Sequence, residues 1–215
     1  MESLREAGMK LQALAVALPD VADHPNRVEF EGVLTLIDEP SNRAPSGARG
    51  HRVILTRAAA MAALPSLMGM AVDCAPGWDG HDARRKCGII TQADVEGNRL
   101  KVSGYLFGKD FPEVQQHMKR SVPGTMGMSY ELADAHVADM NAEVWTLTRA
   151  TFTGAAILLR EKAAYRDTSF QLTPKRCRTN GIAARATPVN SADRSRWHGG
   201  TNTWQLEKGR EKRWN

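Results

Sequence analysis

Apolar and polar positions alternate with period two in several stretches of the chain, and two short stretches between them carry a helical period. Val28, Phe30, Gly32, Leu34 and Leu36 share one face of an extended segment, and the Pro-, Ser-, Gly- and Arg-rich run from Asp38 to Gly50 predicts a loop after it. Thr56 stands before Arg57-Ala58-Ala59-Ala60-Met61-Ala62-Ala63-Leu64, a run of strong helix formers with a hydroxyl cap, which Pro65 ends. Gly88–Ala93 and Arg99–Phe107 are extended and flank Gly97-Asn98, which predicts a hairpin. Asp110 and Glu113 have capping-box spacing around Pro112, and Val114, His117 and Met118 share a helical side up to Pro123.

The alternation resumes at Thr125–Leu132. Met126, Met128, Tyr130 and Leu132 point one way, and Thr125, Gly127, Ser129 and Glu131 the other, so Ser129 is expected to face away from the core. Val144–Phe152 is strand-like, and Ala155–Arg160 either extends or curls into a last element. No βαβ rhythm occurs. Strands interrupted by short helices predict an α+β protein with a curled, barrel-like sheet, because closure protects strand edges.

The chain has 215 residues, room for one ordinary domain and a small appendage. Its net charge of +5 is unevenly spread. Residues 166–215 hold eleven Lys or Arg against four Asp or Glu, a local +7, which leaves residues 1–165 at −2. That basic tail has few aliphatics and no clear period, so it is expected to be flexible, with nucleic-acid binding through its cations and Trp197, Trp204 and Trp214 as a lesser alternative. Residues 1–26 form an N-terminal segment in which Leu11–Leu18 suggests a peripheral helix or a removable leader, and residues 27–165 form the main domain. No run of about 18 apolar residues and no export signal is seen, which points to the cytosol and away from a membrane. Cys74, Cys87 and Cys177 read as reduced thiols.

The chemistry-bearing candidates are few. Ser129, in Gly127-Met128-Ser129-Tyr130-Glu131, is a hydroxyl that needs a base to become a nucleophile, and the motif lacks the second glycine of a nucleophile elbow. His81, in Gly77-Trp78-Asp79-Gly80-His81-Asp82, is the best-placed base, with His51, His117 and His136 as competitors. Cys74, His81 and Cys87 lack the paired spacing of a zinc site, and no phosphate loop, HExxH helix or calcium loop is present, so no metal and no cofactor is expected.

The order of Phe30-Glu31-Gly32-Val33-Leu34, Leu64–Val72 before His81, Asn98–Gly104 and Gly127-Met128-Ser129-Tyr130 resembles the prohead (head-maturation) serine proteases of tailed bacteriophages, over roughly residues 28 to 165. That family is related in fold to herpesvirus capsid proteases, so the resemblance implies a curled β-barrel with surrounding helices. It implies Ser129 as nucleophile and His81 as general base. The third position of the resembling pattern falls on Thr146, where the family has an acidic residue. Here Thr146, Glu143 or Asp139 would have to orient the histidine, and Arg149 is an oxyanion candidate beside backbone donors. The implied activity is a serine endopeptidase that cleaves scaffold protein, the leader segment of the major capsid protein and itself, in the host cytoplasm within the assembling procapsid, with self-association as a further option. The alternative is a noncatalytic scaffold or assembly protein that keeps the protease fold.

Overall fold

The computed structural model describes residues 14–15 and 24–173. Their strands are β1 (Leu14–Ala15), β2 (Arg27–Leu36), β3 (Arg52–Leu55), β4 (Ala71–Asp73), β5 (Lys86–Glu96), β6 (Arg99–Phe107), β7 (Met126–Val137), β8 (Val144–Leu159) and β9 (Ser169–Leu172). The helices are α1 (Arg57–Ala63), continued by a 3₁₀ turn over Leu64–Leu67, and α2 (Pro112–Arg120). The sheet runs β3-β8-β4-β5-β6-β2-β9, with β1 on β5 and β7 on β8. The result is an α+β fold whose sheet curls into an open half-barrel, with short helices at its flanks.

Period-two patterning builds the concave core. Phe30, Leu34, Ile90, Leu100, Val102, Leu106, Met126, Met128 and Ile157 are buried together, as alternation on β2, β5, β6, β7 and β8 requires. Val33, Leu36 and Tyr165 form a second small cluster on the opposite face of β2. Curling carries β7 back against β2 and β9. The closest approach is at Gly32, where a Cβ would meet the Ser169 carbonyl oxygen and would stand 2.8 Å from Met128 Sδ. Only glycine lets the three strands meet there.

The helices seat on this sheet by simple means. Thr56 caps α1, its hydroxyl oxygen accepting from Ala59 N at 3.2 Å, and Ala59, Ala60 and Ala63 are buried where α1 packs on β8. Ser66 in the following turn ties that layer down, because its hydroxyl accepts from Phe152 N at 3.0 Å. In α2, Pro112 sits in the first turn, and His117, Lys119 and Arg120 sit in the last, where cations suit the helix dipole.

Four local expectations need correction. The N-cap of α2 is Phe111, not Asp110, and no side chain caps it, so the capping box does not form; Asp110 instead accepts from Asn26 Nδ2 at 2.8 Å. Of the two options for Ala155–Arg160, extension holds and curling does not, since β8 runs unbroken from Val144 to Leu159. Gly154, Ala155 and Ala156 have weak strand propensity, but pairing to β4 on one side and β7 on the other holds them extended. Leu14 and Ala15 pair with Ala93 and Gln92 as a strand instead of forming part of a helix. The sheet also extends past residue 165, because β9 pairs with β2. The basic tail beyond residue 173 lies outside the described residues. Among those described, no helix is long and apolar enough to cross a membrane.

The closure point can be tested directly. Gly32→Ala should lower stability by about 1–3 kcal/mol, the usual cost of an added group in a filled site. Chemical denaturation measures this, and an unchanged midpoint would mean that β9 and Met128 yield freely.

Candidate functional site

The site is organised by β4, a three-residue strand held between β5 on one side and β8 on the other. Asp73 pairs with Ala156 across the parallel β4–β8 ladder, and Ala156 pairs with Ser129 across the antiparallel β8–β7 ladder. Residues directly opposite in a sheet project from the same face, so Ser129, Ala156 and Asp73 form one row. With strands about 4.8 Å apart, the two ends of that row are separated by roughly 10 Å, and only a methyl group stands between them. This is the outer face of the sheet, opposite the core that holds Met128, Ala155 and Ile157.

The loop between β4 and β5 roofs this row and carries His81. Its ends are pinned to each other by Cys74 N donating to the Arg85 carbonyl at 3.3 Å, and by Arg85 Nε donating to the Cys74 carbonyl at 3.1 Å. Arg85 also pairs with Glu113 of α2 at 2.5 Å. Midway, the Trp78 carbonyl accepts from Leu159 N at 2.7 Å, and the indole stacks on His117 with centroids 4.4 Å apart. Trp78 has φ 56°, a strained value for a bulky residue, which these contacts maintain.

His81 lies across the row. Its Nδ1 is 3.5 Å from Asp73 Oδ1 and 4.0 Å from Glu131 Oε2, and Glu131 is two residues beyond Ser129 on the same face of β7. The 3.5 Å contact does not reach hydrogen-bond geometry, and both ring nitrogens are buried with no hydrogen-bond partner among the described residues. Buried polar atoms without partners are uncommon.

Asp73 is 1% exposed and is the anchor of the set. Lys86 Nζ donates to its Oδ2 at 2.9 Å, and the Asp82 backbone N–H donates to its Oδ1 at 3.2 Å. Burial opposes ionisation, yet His81, Lys86 and the Asp82 N–H together outweigh it and hold the carboxyl below its ordinary range. A neutral or cationic imidazole beside an ionised, immobilised carboxylate is the arrangement that fixes which ring nitrogen carries the proton.

The structure therefore brings two of the sequence-derived candidates, Ser129 and His81, to one face and leaves the others elsewhere. Thr146 pairs with Ile54 of β3, and Arg149, exposed, pairs with His136 of β7. Along β8 they stand ten and seven residues before Ala156, roughly 33 and 23 Å of strand. Asp139 accepts from Asn141 N in the β7–β8 turn, and the Glu143 carbonyl bonds His51, so neither is near His81. Asp73, Lys86 and Glu131 are what sequence reasoning missed. The available signal for Asp73 was an acid inside the apolar run Met70-Ala71-Val72-Asp73-Cys74-Ala75, since carboxylates are almost never enclosed unless paired. Cys74 and Cys87 are buried thiols. The Cys74 contact and burial both push Cys87 up, so it stays protonated. Among the described residues no group of three His, Cys, Asp or Glu is placed to hold a metal.

Because the folded-state value of Asp73 lies below the unfolded-chain value of about 3.9, its stabilising contribution is complete above that pH. It is lost as pH falls through the folded value. The urea midpoint of Asp73→Asn should therefore lie furthest below wild type near neutrality, and the gap should narrow as the pH falls below the ordinary aspartate range. A gap independent of pH would show that Asp73 is not held ionised. No family model, no curated protein and no solved structure matches the chain.

Proposed function

We propose that this chain is a serine endopeptidase of the prohead-protease type, with a herpesvirus-protease-like variant of the half-barrel. The observation that carries the reading is the placement of His81 on the face that bears Ser129, with the enclosed Asp73 carboxylate 3.5 Å from its Nδ1. In this reading the orienting role passes from Thr146 to Asp73.

The chemistry follows from those positions. Asp73 holds the imidazole with its proton on Nδ1, leaving Nε2 to take the Ser129 proton as the hydroxyl oxygen attacks a peptide carbonyl. The imidazolium then protonates the departing amine, and a water activated by the same nitrogen hydrolyses the acyl-enzyme. Arg149 is too far along β8 to serve the oxyanion, so backbone N–H groups near Ser129 take that role. The β7 edge away from β8 has no paired strand among the described residues, which suits an extended substrate segment adding to the sheet. Scaffold protein, the capsid protein's leader and the chain itself are substrates of this kind, cut within the assembling procapsid.

The test uses the full chain with a small fluorophosphonate probe and with co-produced scaffold and capsid proteins, read by intact mass. Label should map to Ser129, and cleavage should vanish in Ser129→Ala and His81→Ala. Asp73→Asn should slow labelling about 10²–10⁴-fold, the range for losing a general-base arrangement. Unchanged labelling and cleavage in the variants would reject the assigned roles, and a wild type that neither labels nor cleaves would leave the noncatalytic assembly reading.

A further inference from the structure

Asp73 does not account for all of the electrostatics at His81. Its charge is already matched by Lys86 at 2.9 Å, so the Asp73–Lys86 pair presents little net charge to the ring. A cationic imidazole above that pair would be uncompensated. The second carboxylate on the same nitrogen, Glu131, has no such cation on it: its one charged contact among the described residues is His81 Nδ1 at 4.0 Å. Of the loop's own acids, Asp82 accepts from Arg84 N at 3.0 Å and Asp79 carries its carboxylate beside Gly77. Arg160, beside Gly127 on the Ser129 face, extends its guanidinium toward Gly124.

The position of Glu131 is built into the sheet. It stands directly across from Gly154 of β8, and a Cβ at residue 154 would come within 2.5 Å of Glu131 Oε2. A register shift follows at once, between Glu131 and Leu132, and such bulges re-aim the side chains beside them. The glycine thus leaves the space into which the carboxylate folds to reach the histidine, although Glu131 is otherwise 54% exposed.

We propose that Glu131 is a positioning residue for His81: the carboxylate that balances the imidazolium formed when Ser129 gives up its proton, with Gly154 as its seat. The inference rests on the serine-peptidase reading for its purpose, but its contact does not depend on turnover. Asp73 fixes the ring, and Glu131 supplies the unmatched negative charge that Lys86 removes from Asp73.

Rates of fluorophosphonate labelling against pH test this in the full chain, for wild type, Glu131→Gln, Glu131→Asp and Gly154→Ala. Glu131→Gln should slow labelling about two- to fivefold, the scale of a charge pair open to solvent on one side, and move the acid limb of the profile to lower pH. Gly154→Ala should do the same with the carboxylate intact, because the clash falls on the end of a flexible side chain that can swing off. Glu131→Asp should recover part of the rate. Profiles of Glu131→Gln and Gly154→Ala that superimpose on wild type would overturn the proposal. ¹⁵N NMR of the His81 ring through the same pH series separates the two readings. A wild type that never labels, but whose ring takes up its proton at lower pH in Glu131→Gln and Gly154→Ala, keeps the Glu131 contact and sinks the serine chemistry. Ring titration unchanged in both variants sinks the Glu131 role alone.

Discussion

A carboxylate enclosed under a sheet face stays ionised only if other groups replace the water it has lost, and much of the site follows from how this is done at Asp73. Lys86 lies on the neighbouring strand in direct register with Asp73, so the cation is delivered by the β4–β5 ladder itself. The Asp82 N–H comes from the loop that leaves β4 and returns as β5. Folding that loop over the carboxylate is therefore the same event as satisfying the carboxylate. His81 precedes Asp82 by one residue, and its location over the Ser129–Ala156–Asp73 row is a consequence of that bond.

The small side chains of β8 complete the arrangement. Ala156 and Gly154 occupy the middle of the row and the place next to it, and a side chain at Gly154 would run into the Glu131 carboxylate. These same residues are poor strand formers, and they hold an extended conformation because β4 and β7 flank them. The sheet thus accepts weak local propensity where a hollow is needed and recovers it through pairing on both edges.

What could be read from the chain alone follows this division between local and distant causes. Period-two alternation locates β2, β6 and the first half of β7, and it puts Ser129 on the face opposite Met128, because β6, the start of β2 and β7 around Ser129 each turn one side to the core and the other outward. The cap at Thr56 was legible because a hydroxyl and the amide three residues on are enough to form it. The continuity of β8 was hidden, since it depends on partners more than seventy residues away in one case and on a hairpin in the other. The α2 start failed for a related reason: Asp110 had the right spacing for a cap but bonds Asn26 across the fold.

The carboxylate beside His81 illustrates the same limit most clearly. Thr146 was reached by matching positions along a segment, which fixes distance along one strand and says nothing about what stands beside another. Asp73 is separated from Ser129 by fifty-six positions in the chain but by only one strand in the sheet. Its neighbours Val72 and Cys74 are fully buried, so an ionised group between them has to be explained by a partner. That constraint belongs to the sequence, whereas the identity of the partner belongs to the ladder register. A buried acid in a short apolar run thus signals a charged partner close by, which a position matched by segment order does not. The first asks what the charge requires, and the second only where it was expected.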